Sequence, residues 1–308
     1  MSFFIRIECN HKIGMGHYER TKNLMEEIGQ DSIYLVSNQS TLLKTKLKNN
    51  LIFINDEIKC LIKNTKKYQP KAIIYDLLDY SKINFEQIKT KLKIPIIAFH
   101  EINGAFNNSI LNINYNTFTG WEKMQKSGLF GPKYIIFNAN IKQAKKPIES
   151  SLFVSFGGSD PNNIMKWFIQ NILPKLVFNK IILHFGPFSD YKNDFKNLES
   201  SNLEIVRAPD NLHSISEKCS TALVAGGNTM YEMVFQGLTT FVIAQNNHQE
   251  EFAKNADRHR LLKYLGKQSD LRKEDVIFNL NRRFSFNTDK LIDGMGKSRI
   301  VKKIKELI

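Results

Sequence analysis

The stretch Phe3-Phe4-Ile5-Arg6-Ile7-Glu8-Cys9, followed by Ile13-Gly14-Met15-Gly16-His17-Tyr18-Glu19-Arg20, decides the fold class. A continuous apolar run is what a strand covered on both faces requires. The two glycines allow a tight turn. Beyond them Thr21, Leu24, Met25 and Ile28 fall at i, i+3, i+4 and i+7, one apolar stripe on a helix. Strand, glycine-rich turn and amphipathic helix form the opening unit of a parallel α/β sheet. The helix then presents free backbone N–H groups to an anion.

The same grammar recurs along the chain. Strands are predicted at residues 3–9, 33–37, 51–54, 72–75, 94–99 and 110–113, with helix-like stretches between them. A polar, lysine-rich segment, Asn138-Ala139-Asn140-Ile141-Lys142-Gln143-Ala144-Lys145-Lys146-Pro147, lacks periodicity and reads as a linker. The pattern restarts with strands at 152–156, 180–185, 203–206, 221–225 and 240–244, and helices beginning near Pro161, Leu212, Thr229 and Gln249. The expected organisation is two doubly wound parallel-sheet domains, 1–146 and 147–290, facing a cleft. A terminal helix, 291–308, carries a stripe of Ile300, Val301, Ile304, Leu307 and Ile308 and is expected to pack back on the protein. Its cations, Lys297, Arg299, Lys302, Lys303 and Lys305, would also suit a membrane surface, which the reading does not require.

Bulk properties narrow the class. The 308 residues carry 44 basic and 30 acidic side chains, a net charge of +14, which fits an anionic partner. The lysines are scattered, and no zinc-finger spacing, RNA-binding aromatic motif or arginine tract is present, so a nucleic-acid partner is not expected. Three widely spaced cysteines, Cys9, Cys60 and Cys219, argue for a reducing compartment. No spanning apolar stretch or signal peptide is read, which places the protein in the cytoplasm. With no Asp-x-Asp pair, Walker loop, nucleophile elbow or His-Glu-x-x-His, neither a metal nor another cofactor is expected.

Chemistry-bearing residues cluster at the turns. His17 falls in the first helical turn, where a neutral imidazole can take a proton from water; the same placement suits a cap or a phosphate contact. Glu8, at the end of the first strand, is the residue expected to orient or polarise it. In Phe156-Gly157-Gly158-Ser159-Asp160-Pro161, Asp160 as N-cap and Pro161 at the first helical position start a helix, leaving Gly158 and Ser159 beside a phosphate or in an ordinary turn. In Gly226-Gly227-Asn228-Thr229-Met230-Tyr231-Glu232 the amides and the Thr229 hydroxyl can hold a diphosphate. Glu232, one turn on, can accept from ribose hydroxyls or remain a solvated helix residue. Asn247 and Gln249, at the next helix start, can read sugar hydroxyl or acetamido groups.

Taken in order, these elements resemble the UDP-sugar hydrolase family of pseudaminic-acid biosynthesis and the spore-coat-polysaccharide-type proteins around it. The resemblance rests on Arg6-Ile7-Glu8, the 13–17 loop with Arg20, the 156–160 run, Gly226-Gly227-Asn228-Thr229 with Glu232 and Gly237, Asn247 with Gln249, and Asp293-Gly294-Met295-Gly296 with Arg299. It implies a glycosyltransferase-B fold and hydrolysis of UDP-2,4-diacetamido-2,4,6-trideoxy-β-L-altropyranose, with release of UDP. It puts the general base on His17. Substrate contacts are carried onto Arg6, Glu8, Gly14, Gly16, Asp76, Gly158, Ser159, Gly226, Gly227, Asn228, Thr229, Glu232, Asn247 and Gln249. Where the family often has Asp-x-Tyr, this chain has Asp76-Leu77-Leu78, with Asp79 and Tyr80 later. It has His100-Glu101 in place of an acidic pair, and Asn138 or a neighbour in place of an arginine. An inverting glycosyltransferase, with a hydroxyl acceptor in place of water, is the alternative on the same scaffold. A nucleotide-sugar-binding protein without catalysis is the third.

Overall fold

A computed structural model describes residues 2–10, 13–37, 41–99, 109–116, 128–137, 141–142, 147–189, 195, 198, 200–209, 211–282, 284, 286 and 291–308. His100, Glu101 and most of the predicted linker, Asn138 included, lie outside them. The chain divides into two compact units, Met1–Asn138 with Gly294–Ile308, and Ala139–Asp293.

In the first unit, elements follow in the order β1 (Ser2–Ile7), α1 (Gly16–Ile28), β2 (Asp31–Val36), α2 (Thr41–Leu47), β3 (Leu51–Phe53), α3 (Glu57–Tyr68), β4 (Ile73–Asp76), α4 (Phe85–Leu92), β5 (Ile96–Phe99), β6 (Leu111–Asn114) and β7 (Gly128–Phe130). They build a sheet of order β3-β2-β1-β4-β5-β6-β7. Its pairings are parallel, and Ile7 faces Asp76 where β1 meets β4. All of β1 is buried, as a strand covered on both faces must be. Thr21, Leu24, Met25 and Ile28 are buried along α1, and Gly29 ends the helix at φ 70° with its N–H on the Met25 carbonyl. One face of the sheet packs Phe4, Leu35, Ile73, Tyr75 and Ile96 against Leu61 of α3 and Ile88 of α4.

In the second unit come β8 (Ile148–Ser155), α5 (Ile164–Asn171), β9 (Lys180–Phe185), β10 (Leu203–Arg207), α6 (His213–Ser216), β11 (Cys219–Ala225), α7 (Asn228–Gln236), β12 (Thr239–Ala244), α8 (Asn247–Arg258), β13 (Lys263–Lys267) and α9 (Lys273–Leu280). The sheet order is β10-β9-β8-β11-β12-β13, again with parallel pairings. Leu152, Val154, Phe168, Leu183, Leu223 and Phe241 lie at the centre of a core on one face.

Several local readings differ from the structure. The first strand stops at Ile7 rather than Cys9. The edge strands β7 and β13 carry no continuous apolar run and were not predicted. The helix expected near Pro161 begins at Ile164, because Asp160 (φ 44°) and Asn163 (φ 56°) keep the chain in a turn. The Asp160 carboxylate still caps it from a distance, accepting from the N–H groups of Ile164 (3.0 Å) and Met165 (2.8 Å).

The terminal helix α10 (Gly296–Leu307) belongs to the first unit. Ile300, Val301 and Ile304 are buried, whereas Leu307 and Ile308 of the predicted stripe are exposed. A Cβ on Gly296 would stand 2.2 Å from the Ile135 carbonyl oxygen, so only glycine permits this approach. Arg299 donates to the Lys133 carbonyl at 2.9 Å and Lys297 pairs with Glu27 at 3.3 Å. Among the described residues, no helix is long and apolar enough to cross a membrane.

Candidate active site

In both sheets the connection reverses beside the first strand of the unit, between β1 and β4 and between β8 and β11. In doubly wound sheets, ligands bind outside the carboxyl ends of the strands at this switch point. Of the sequence-predicted residues, His17 and Asp76 meet at the first of these places, and Gly158, Ser159 and the Gly226–Thr229 run lie at the second.

In the first unit the switch point holds a charged cluster. Asp76 is the last residue of β4 and has no exposed surface. His17, second in α1 and 8% exposed, lies with Nδ1 2.7 Å from Asp76 Oδ1. Arg20 stands one turn further along α1, on the same helix face as His17. It grips the same carboxylate with two donors, Nε to Oδ2 at 2.7 Å and a terminal nitrogen to Oδ1. Its other terminal nitrogen donates to the buried Tyr115 hydroxyl, and its cation lies 5.6 Å from the Phe99 and Tyr115 ring centres. Burial pushes the Asp76 pKa up, but Arg20 and His17 more than offset this, so the carboxyl sits well below the usual range. An ionised Asp76 accepts, so the Nδ1–H tautomer of His17 donates to it, and the Arg20 nitrogen 3.2 Å from Nδ1 is then a neighbour rather than a donor. In the neutral ring Nε2 then carries the lone pair, and no hydrogen bond to it is present among the described residues.

Glu8 does not orient His17, as was expected from its place in the chain. Its Oε1 is taken by Arg6 at 2.6 Å, by the Ser37 N–H at 3.2 Å and by the Ser37 hydroxyl. Arg6 in turn donates to Glu57 at 2.9 Å, and Glu57 accepts from the Tyr75 hydroxyl at 3.1 Å. Arg6 and Glu8 therefore form a network of their own. Gly14 adopts φ 79° and closes the loop through its N–H to the Asn10 carbonyl at 2.7 Å. Gly16 opens α1, and the N-cap Met15 makes no side-chain cap bond to the first backbone donors of the helix. The later tyrosine, Tyr80, ties β4 to β5: its one hydroxyl hydrogen lies within reach of both the Phe99 and the Tyr75 carbonyls, and its oxygen accepts from the Leu77 N–H at 3.3 Å.

In the second unit the switch point is built of backbone. Gly226 and Gly227 lie between β11 and α7, with Gly227 at the N-cap and Asn228 and Thr229 in the first turn. A Cβ on Gly226 would meet the Gln249 carbonyl oxygen at 2.7 Å, so glycine lets α8 close on this loop. Gly158 and Ser159 follow β8, half-buried. The Gly158 carbonyl accepts from Phe188 at 2.8 Å, and a Cβ on Gly186 would stand 2.5 Å from Gly158 Cα. Gln245, not singled out from the sequence, ties the strand ends together by donating to the Phe156 carbonyl at 2.9 Å and to Asp160 at 3.4 Å. Gln249 is engaged in the same scaffold: its side-chain oxygen accepts from the Gln245 N–H at 2.9 Å. Asn247 is exposed at the start of α8 and accepts from Lys267 at 3.2 Å. Glu232, half-buried one turn into α7, faces His213 at 3.9 Å.

Comparison with known proteins adds the following. No family model matches the chain. It is 26% identical over 282 residues to MJ1062, an uncharacterised protein of Methanocaldococcus jannaschii; the match covers 82% of this chain and 57% of that protein, so the chain spans little more than half its length. It is 22% identical over 322 residues to the spore coat polysaccharide biosynthesis protein SpsG of Bacillus subtilis, covering 96% of this chain and 95% of SpsG. Among solved structures it is similar to MurG of Acinetobacter baumannii (TM-score 0.66, 13% identity, 99% of this chain and 100% of that one). It is also similar to UDP-GlcNAc 2-epimerase of M. jannaschii in complex with UDP-GlcNAc and UDP (TM-score 0.63, 13% identity, 99% and 100%). The two parallel-sheet α/β units are those of the glycosyltransferase-B fold.

Proposed function

We propose that this chain is an enzyme acting on a nucleotide-linked sugar, and specifically a hydrolase that releases UDP from a UDP-linked diacetamido-trideoxy sugar such as UDP-2,4-diacetamido-2,4,6-trideoxy-β-L-altropyranose. The observation that carries the reading is His17, held through Nδ1 by a buried, ionised Asp76 that Arg20 grips with two bonds. An imidazole so held presents Nε2 as a proton acceptor, and the carboxylate stabilises the imidazolium as it forms.

Water gives a proton to His17 Nε2 as its oxygen attacks the anomeric carbon. The anomeric C–O bond breaks, and its electron pair leaves with UDP. A diphosphate needs little proton assistance to leave, so one base suffices. The second unit holds the nucleotide: the amides of Gly226, Gly227, Asn228 and Thr229 face the diphosphate, and Glu232 accepts from the ribose. The likeness to SpsG, named for spore coat polysaccharide biosynthesis, and to an epimerase solved with UDP-GlcNAc and UDP, supports surface-glycan synthesis as the setting.

The test is release of UDP from a panel of UDP-sugars by the purified chain with no acceptor present. Turnover without an acceptor supports hydrolysis; turnover only with an added sugar or lipid hydroxyl makes the chain a transferase. His17→Phe keeps a ring in the pocket and removes the base, so kcat falls about a hundredfold or more. Unchanged turnover removes His17 from that role.

A further inference from the structure

Beside Glu232 lies a buried histidine that the reaction as proposed leaves without a task. His213 opens α6 and is 7% exposed, with Nε2 3.9 Å from Glu232 Oε1. Its Nδ1 is fully buried and has no hydrogen-bond partner among the described residues. A buried lone pair is tolerated better than a buried N–H, so in the neutral ring the hydrogen belongs on Nε2, on the side of Glu232, at an ion-pair distance rather than a direct hydrogen bond.

The backbone around it is held from two sides. The Asn211 side chain accepts from the N–H groups of His213 (3.1 Å) and Ser214 (3.2 Å), fixing the start of α6. Gln236 lies four residues after Glu232, on the same face of α7. It donates to the His213 carbonyl at 3.0 Å and accepts from the Ser216 hydroxyl at 2.7 Å. One face of α7 thus fixes both the backbone of His213 and the carboxylate its ring meets.

We infer that His213 is a positioning residue for Glu232: it aims the carboxylate at the ribose hydroxyls, so selectivity for a ribonucleotide depends on both side chains. The inference rests on the proposed ribose contact of Glu232.

The experiment is calorimetric titration of the full chain with UDP and with 2′,3′-dideoxy-UDP, for wild type, Glu232→Gln, His213→Phe and His213→Gln. His213→Phe is expected to weaken UDP binding about tenfold and leave dideoxy-UDP binding unchanged. His213→Gln, which restores an N–H donor, recovers most of the loss. Equal weakening of both ligands in His213→Phe, or no weakening of either, overturns the inference. If Glu232→Gln keeps the wild-type preference for UDP, the ribose contact itself is wrong, and that result is distinct from a failure of His213 alone.

Discussion

The two units share the order of their first six strands, the first unit adding a seventh at its edge, and solve the same corner differently. At the switch point of the first unit, three side chains meet: His17 and Arg20 from α1 and Asp76 at the end of β4. At the switch point of the second, the working surface is backbone, and Asp160 and Gln245 serve to tie the loops and strand ends together. Side chains can gain, lose or orient a proton, whereas fixed amides can only hold charge that is already there. The contrast is what the proposed reaction needs, one corner to activate a nucleophile and the other to hold an anion.

The largest expected effect tests whether the first corner depends on charge and the second on backbone. Asp76→Ala leaves the Arg20 guanidinium buried without its two-bond partner, a loss of about 3–5 kcal/mol. Asp160→Asn keeps one carbonyl acceptor for the start of α5 and sheds one bond, a loss of about 1 kcal/mol. Hydrogen exchange followed by mass spectrometry separates peptides of the two units and reads each loss in its own unit. Equal losses break the contrast.

How much of this could be read from residues alone follows from the range of the forces involved. The strands of both sheets were legible where they are continuous apolar runs, such as Ile73–Asp76 and Thr239–Ala244. The edge strand Lys263–Lys267 was not, because its residues are only half-buried and lysines stand at both ends. His17 was legible as a turn residue at a helix start. Its orienting partner was not. Proximity along the chain favours Glu8, but the parallel crossover pairs Ile7 with Asp76 and brings the later carboxylate to α1. Arg20 left a usable signal, since residues three apart on a helix share a face and a histidine so placed points to the same partner. Asp160 is not the N-cap that the sequence suggests: Asn163 holds that position, and the Asp160 carboxylate reaches the start of α5 across a turn that positive φ at two residues lengthens.

Acid separates the units next. His184, on β9, is buried with Nδ1 2.8 Å from the Ser155 hydroxyl, and burial pulls its pKa down to about 4. Between about pH 6.5 and 4 the unfolded chain binds this proton and the folded one does not, so stability is full above that window and falls as pH drops through it. From pH 7 to 5 the loss is about 2 kcal/mol. Asp160, whose pKa burial raises, works in the opposite direction just above the ordinary carboxylate range. In the first unit the depressed Asp76 contributes stability that persists above about pH 4 and is lost only as pH falls further, through its folded value. The second unit is therefore expected to loosen first on acidification. Urea unfolding at pH 7 and pH 5 checks this: His184→Phe removes most of the difference between the two. A variant that keeps the full difference assigns it to another group.

The smallest effect sharpens the contrast inside the first unit, where two networks lie close in sequence. Among the described residues, the bonds to Glu8 reach one oxygen, Oε1, from Arg6 and from the Ser37 N–H and hydroxyl. In Glu8→Gln an amide oxygen takes over that position, Arg6 keeps Glu57, and the cost is about 1 kcal/mol of stability. His17 keeps Asp76, so kcat should stay within about threefold of wild type, where His17→Phe loses about a hundredfold or more. Steady-state UDP release measured for both variants decides the matter. If Glu8→Gln falls as far as His17→Phe, the two networks act as one, and the orienting role assigned to Asp76 is shared with Glu8.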